Sequence, residues 1–589
     1  MRTNKYNILT RLLILSALAL GLTACGGGGS SDPSDLSNMT ISGTATYTSY
    51  KLSDAGIDYV NPITKPIRGA TIQLLDSSGN KILATAKTSD SGGYSFTASK
   101  DTDIRIVVYA DIGNTTVIDN TSSDKLYSIT TGIHRTATID ETKDINADSG
   151  WDTGGINTGE REAAPFNILD LIYEAQKKIR EVDSTADAVF ANRPLKVNWS
   201  IKNGAQAPLK DTAGNEDISN GGLGGASSYD SNLNLLILGK ADEDTDEYDR
   251  HTILHEWFHY FEAEMSNSDS IGGGHGPEDI LHPSLAFGEG FAYAFAAMIL
   301  DDPLYYQTQG IGSKTVDFTN YELDSVDDSK TFAKKDKDDK VISTENVKLD
   351  GFYSEQSIIE VLWDIYDDNA DDNDELALGF APIYKVMIGG QKTTKSFTSI
   401  VSFLHHLKIQ QPDSADKIDA IAQAENINMA NADEFQILDN VEVTGQWPKL
   451  YTDIVPGVTQ TIDDGGFVLQ TWNNFGDITL DDEGGKLFNY QFFKTTIATG
   501  GCYEVRVQPI TPAGTVENAK MCVKFPRGLG LKVGDDVGVC NSAGATTYPL
   551  SITSIIPEGI LAFSVAAKND GTGETPFSVL LASSPNGCL

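Results

Sequence analysis

The stretch His251–Glu262, HTILHEWFHYFE, decides how this chain is read. Ile253, Leu254, Trp257, Phe258 and Phe261 recur at helical spacing, so the segment reads as a helix with an apolar core stripe. His255 and His259, four residues apart, then share a face. Both imidazoles can reach one metal ion, and Glu256, one step round, can reach a water beside it. That geometry suits a general base acting on a water whose pKa a metal has lowered. Trp257 and Phe258 belong to the core. His251, one turn earlier, either supports the site or solvates the helix start. His405 and His406 are adjacent on a later helix, face apart, and read as structural.

A catalytic zinc ordinarily takes three protein ligands and keeps one position open. The segment FGEGFAYAF (287–295) offers Glu289 among Phe287, Phe291, Ala292 and Phe295. Such a lone carboxylate is costly to bury unless something pairs with it, and a zinc ion would do so. The plainer alternative puts Glu289 on an exposed face or beside a lysine. Together, HEWFH and GEGFA resemble the gluzincin metallopeptidases, and GEGFA is similar to the NEGFA segment of aminopeptidase-N-type enzymes. The gap from His259 to Glu289 is closer to that of bacterial collagenases. The resemblance covers about residues 220–300, and the gap assigns the chain to no single family.

This resemblance implies a zincin-like domain that hydrolyses peptide or protein substrates. Zn2+ would be held by His255, His259 and Glu289, with Glu256 as general base. It also implies an edge strand ahead of the active helix that pairs with substrate backbone. The stretch GGLGGASSYDSNLNLLILG (221–239) stands there, and Ala226, Ser227, Ser228 and Tyr229 are the candidate rim. The alternative is an ordinary Gly-rich loop. A Tyr or His near the developing oxyanion is a further family trait, for which Tyr353 is the candidate. Its alternative is a buried structural tyrosine. His275 and His282 read as exposed loop histidines, either of which could close over substrate.

The whole chain has 589 residues, too many for one ordinary core, and reads as three folded domains. Its 44 Lys+Arg against 83 Asp+Glu give a formal charge of -39, without the basic stripe of a nucleic-acid binder, so nucleic acid is not an expected partner. The acidic runs ADEDTDEYD (241–249) and DDNADDNDE (367–375) can hold Ca2+ or form solvated surface; neither has EF-hand spacing.

Residues 1–24 read as a signal peptide, with Arg2, Lys5 and Arg11 ahead of the apolar run 12–22. LTAC, Leu22–Cys25, resembles a bacterial lipobox. This implies cleavage before Cys25, acylation of its sulfur, and a flexible tether over 25–38. By the same resemblance, to Gram-negative lipoproteins, Asp after the cysteine would favour inner-membrane retention, so Gly26 implies an anchor in the outer membrane of the cell envelope. No later apolar run is long enough to be a transmembrane helix.

Residues 39–150 carry alternating strand patterns at 39–49, 70–79, 93–99 and 103–111. ISGTATY, IRGATIQLLDSSG and TSDSGGYSF resemble the carboxypeptidase-regulatory-like sandwich, which implies a spacer or binding module. Residues 151–440 carry helices at 167–182, 285–300, 354–367 and 397–410 and strands at 195–200 and 233–239. Residues 441–589 return to short strands and hold Cys502, Cys522, Cys540 and Cys588. In an exported protein these suggest two disulfides. The favoured pairing is Cys502–Cys522 with Cys540–Cys588, because CYEVRVQPITPAGTVENAKMC reads as a hairpin. Zinc binding by these four is weaker, since no C-x-x-C pair is present.

The expected fold is therefore multidomain, an α+β zincin-like catalytic domain flanked by two all-β sandwich domains. The expected function is a membrane-anchored zinc metallopeptidase. The alternative is a cell-surface binding lipoprotein whose zinc site is structural or vestigial.

Overall fold

A computed structural model describes residues 38–53, 55–211, 214–276, 279–310, 315–316, 321–322, 329–335, 341–348, 350–367, 376–429, 432–435, 450–462, 490–509, 520–531, 538–540, 549–568, 577–584 and 588. The signal peptide, Cys25, the tether and nearly all of the second acidic run lie outside the described residues. The chain is multidomain and mixes β-sheets with helices.

In the N-terminal part the long strand Asn38–Ser49 pairs antiparallel with Gly93–Ser99 and Ile63–Pro66. A second sheet runs Ser128–Thr130, Asp103–Tyr109, Thr71–Asp76, Ile82–Lys87. Along Gly93–Ser99, Tyr94, Phe96 and Ala98 are buried and Ser95, Thr97 and Ser99 exposed, the period-two pattern of a half-buried strand. Ile41 and Phe96 of one sheet share a core with Ile72 and Ile106 of the other.

The strand Thr115–Asp119 leaves these sheets for a third. There it lies parallel to Leu195–Trp199, which is parallel to Asn234–Ile237, and Ser228–Asp230 closes the sheet as an antiparallel edge. One sheet and one hydrophobic core therefore draw on residues from both sides of position 150.

The helices are α1 (Ala164–Val182), α2 (Ala186–Ala191), α3 (Arg250–Met265), α4 (Pro283–Leu300), α5 (Glu355–Tyr366), α6 (Phe380–Ile388), α7 (Ile400–Gln410) and α8 (Ala415–Ala424). The expected core face of α1, Ile168, Leu169, Ile172 and Ile179, is buried. Pro165 starts that helix earlier than its apolar pattern indicates, since proline suits the first turn, where its missing N–H has no partner to lose. Ser354 caps α5, accepting the amide of Ser357 at 3.4 Å.

α3 and α4 pack against each other and are largely buried. Phe258 stacks on Phe291 at 4.7 Å and Trp257 on Phe295 at 5.7 Å, and all four rings are buried. Truncating one such ring to alanine typically costs about 3–5 kcal/mol. By length and composition α4 could cross a membrane, but 89% of it is buried inside the protein. α5 packs so closely on α4 that a Cβ on Gly290 would lie 2.7 Å from the Glu355 carbonyl oxygen and 2.8 Å from Ile358 Cβ.

The C-terminal part has two sheets. One runs Tyr451–Asp453, Tyr490–Ile497, Gly559–Lys568, Lys520–Lys524, Gly538–Cys540; the other runs Thr459–Ile462, Phe577–Ser583, Gly501–Pro509, Leu550–Ile556. They share a core that includes Phe493, Val505, Phe563 and Leu581. The favoured disulfide pairing is corrected here, because Cys502 is bonded to Cys588. The supposed hairpin does not form, since Gly501–Pro509 and Lys520–Lys524 belong to different sheets. Instead Gly501–Pro509 pairs with Phe577–Ser583, and the Ser584 amide donates to the Cys502 carbonyl at 2.9 Å, which carries the chain end past Cys502. Cys522 is itself disulfide-bonded and stands opposite Cys540 in the strand register.

This C-terminal part docks on the helices. Asp269 accepts the amides of Thr398 at 3.0 Å and Arg527 at 2.8 Å. His282 packs among Phe397, Tyr490 and Phe492.

Candidate metal centre

α3 presents His255 and His259 one turn apart, and α4 brings Glu289 across to meet them. His255 Nε2 lies 3.1 Å from His259 Nε2 and 3.1 Å from Glu289 Oε2. His259 Nε2 lies 3.2 Å from the same carboxylate oxygen. Ligands about 2.0–2.1 Å from a tetrahedral zinc are about 3.3 Å apart, so this triangle has the size a zinc ion requires. Two imidazoles and a carboxylate are also a donor set of catalytic zinc. The three residues form the one such His/Cys/Asp/Glu group among the described residues.

Without a cation the triangle is electrostatically lopsided. Burial pushes His255 down to about 4, the Glu289 hydrogen bond opposing this and the neighbouring His259 adding to it. For His259, burial also disfavours the charged form, but the Glu289 carboxylate outweighs it and pushes the imidazole up to about 9. Burial would raise the Glu289 carboxyl; the His259 charge and the hydrogen bonds from both histidines instead hold it well below the usual carboxylate range.

Glu256 follows His255 and is buried. Burial pushes its carboxyl up to about 7, against the opposing charge of His259 and a hydrogen bond from the Tyr229 amide. Tyr229 belongs to the edge strand Ser228–Asp230, which therefore runs close to Glu256.

Three further residues belong to this site. His275 comes from the Gly-rich segment between α3 and α4. Its Nδ1 is 2.9 Å from Glu355 Oε1 and its Nε2 is 3.6 Å from Glu289 Oε2. Burial would lower its pKa, but Glu355 and Glu289 push it up to about 9. Glu355 sits in the first turn of α5 with its side chain 2% exposed. Tyr293, one turn beyond Glu289 on α4, sets its ring 4.4 Å from the His255 ring.

The sequence candidates divide accordingly. His255, Glu256, His259 and Glu289 come together. Tyr353 is buried with its hydroxyl donating to the Asp350 carbonyl at 3.1 Å, and its own carbonyl accepts the Leu281 amide at 3.0 Å. Ser228 and Tyr229 lie on the edge strand and Ala226 is exposed just before it. Ser227 turns inward, its hydroxyl donating to Asp246 and accepting the Leu238 amide.

His282 is not an exposed loop histidine; it is buried at the start of α4, where its Nδ1 accepts the Ser284 amide at 3.2 Å. His251 does not solvate the helix start either. It is buried, with Nε2 3.3 Å from the Asp302 carbonyl and its ring 5.0 Å from Tyr305. Tyr293 had a signal in the sequence, because it stands four residues after Glu289 and so shares its face. His275 was named from the sequence as a loop histidine that could close over substrate, whereas Glu355 had no signal, since only the packing of α5 on α4 brings it to His275.

No known family model matches the chain, and no curated protein matches it.

Proposed function

We propose that this protein is a zinc-dependent metallopeptidase with a zincin-like catalytic domain, lipid-anchored in the cell envelope through Cys25. The observation that supports this best is the triangle of His255, His259 and Glu289 with the buried Glu256 beside it. His255, His259 and Glu289 would hold zinc, which when bound supplies a Lewis acid and lowers the pKa of a water.

Glu256, its carboxyl raised towards neutrality, takes one proton from the water that attacks the peptide carbonyl. It passes that proton to the leaving amine nitrogen as the C–N bond breaks. His275, oriented by Glu355, donates through Nε2 to the oxygen on which negative charge develops. The edge strand Ser228–Asp230 offers backbone groups to an extended peptide, which favours a peptide substrate.

The test is elemental analysis of zinc per chain together with cleavage of a mixed peptide library. Wild type should bind about one zinc and His259→Ala should lose it. Glu256→Gln should keep the zinc and lose cleavage by about 10²–10⁴-fold. Full activity in Glu256→Gln would sink the mechanism. No zinc in wild type, even after reconstitution, would leave the binding-lipoprotein reading in its place.

A further inference from the structure

His275 is carried on the segment 266–282, which joins α3 to α4. Its tip reads Gly272, Gly273, Gly274, His275, Gly276, and Gly272 and Gly273 lie at φ +63° and +110°. Glycine has the most conformational freedom to lose on ordering, so such a stretch keeps one course only when its ends are held.

Both ends are held against the C-terminal part. On the α3 side Asp269 is buried and its two carboxylate oxygens are divided between two partners. Oδ2 accepts the Thr398 amide at 3.0 Å, and Oδ1 accepts the Arg527 amide at 2.8 Å. The Asp269 amide in turn donates to the Thr398 hydroxyl at 3.2 Å. Thr398 is itself tied to the C-terminal part, because its neighbour Phe397 donates its amide to the Tyr451 hydroxyl at 3.1 Å. Arg527 opens a turn of 3-10 helix, Arg527–Leu529. That turn lies so close to the chain leading into α7 that a Cβ on Gly528 would overlap the Thr394 carbonyl. On the α4 side, the Leu281 amide donates to the Tyr353 carbonyl at 3.0 Å. Next to it, His282 is fully buried, its ring 4.8 Å from Tyr490 and 5.1 Å from Phe492. Phe492 belongs to the same hydrophobic core as α3 and α4.

We propose that the C-terminal part is a positioning device for His275: it fixes both ends of the segment 266–282 and so holds the imidazole beside Glu289. This rests on the metallopeptidase reading for what His275 does, and on the contacts above for how it is held. α5 orients the ring through Glu355, while the C-terminal strands set the course of the backbone beneath it. Asp269 is the positioning residue on the α3 side. Removing the Arg527 amide would leave its buried Oδ1 without a partner, which is costly for a carboxylate. The C-terminal part is then needed for turnover, although the three residues of the metal cluster all come from α3 and α4.

The test compares Arg527→Pro with Arg527→Ala in the full chain. Proline deletes the amide yet suits the first position of a helical turn, and Pro526, at φ −57° and ψ 135°, is already extended as a residue before proline must be. Arg527→Pro should lower kcat on a cleaved peptide by about tenfold, the cost of a small misplacement of a catalytic group, with KM and zinc content unchanged. Backbone amides of residues 270–276 should exchange with deuterium at least about tenfold faster in that variant. Arg527→Ala keeps the amide and should match wild type in both readouts. If Arg527→Pro does not fold, Tyr490→Leu, at a half-buried position against His282, should show the same loss of kcat and the same faster exchange. Wild-type kcat and exchange in Arg527→Pro, or in Tyr490→Leu where it stands in, would overturn the proposal, as would an equal loss in Arg527→Ala. A wild type that neither holds zinc nor cleaves peptide would sink the metallopeptidase reading instead, and exchange at 270–276 would still decide whether the C-terminal part holds the segment.

Discussion

His275 Nδ1 lies 2.9 Å from the buried carboxylate of Glu355, and this contact aims the opposite ring nitrogen at Glu289, 3.6 Å away. A Gly-rich segment cannot hold a side chain by itself, so the aim comes from α5. His275→Ala is expected to lower kcat by about 10²-fold, the usual cost of losing one oxyanion donor, with zinc content unchanged. Glu355→Gln acts only through His275. It should lower kcat less and leave KM in place. Unaltered kcat in His275→Ala would remove it from the mechanism.

Tyr293 and Tyr353 are expected to part company. Tyr293 packs on His255, whereas the Tyr353 hydroxyl is engaged by Asp350. Tyr293→Phe should reduce kcat on peptide. Tyr353→Phe should leave kcat as it is and lower stability by about 1 kcal/mol, the value of one hydrogen bond. Steady-state kinetics and urea unfolding of the two variants decide this, and the reverse pattern would restore Tyr353 to the site.

The two glycines flanking Glu289 should respond differently to alanine. At Gly290 the new methyl would meet the backbone of α5 at 2.7 Å, while at Gly288 its nearest neighbour would be Glu262 Oε2 at 3.4 Å, an ordinary contact. Gly290→Ala should cost about 1–3 kcal/mol, as overpacking does, and weaken zinc binding by shifting Glu289. Gly288→Ala should be tolerated. Equal effects in thermal unfolding would show that the α4–α5 approach is not the constraint.

Asp269 gives a pH signature. Burial pushes its carboxyl up to about 6, against the hydrogen bonds from the Arg527 and Thr398 amides. The unfolded value is about 3.9, so its contribution is fully present below that and is lost as pH rises through about 6. The change amounts to as much as roughly 3 kcal/mol. The Tm of wild type minus that of Asp269→Asn should therefore be larger at pH 4 than at pH 7. A difference that stays constant across that range would disprove the assignment.

The cluster of His255, His259 and Glu289 was legible because most of its information is local. His255, Glu256 and His259 lie within one and a half turns, and helix geometry alone puts them on neighbouring faces. Glu289 was legible because a lone charge in an apolar helix must be paired. The period-two alternation at 93–99 marks its strand for the same reason, since neighbouring residues alone carry the pattern. The disulfide reading failed because strand order is not local. A short connection looks like a hairpin, yet it can carry the chain from one sheet to another.

The sequence by itself determined the helix of His251–Glu262, the two histidines and the glutamate on it, and the apolar helix that carries Glu289. These follow from periodicity and from the cost of burying charge. Tertiary structure alone decided that His275 and Glu355 meet beside Glu289, that the Tyr353 hydroxyl donates to the Asp350 carbonyl, that Cys502 meets Cys588, and that Asp246 and Asp249 are buried. Each depends on which surfaces pack together. That choice is made by the summed burial of many distant side chains, and no single stretch of sequence records it.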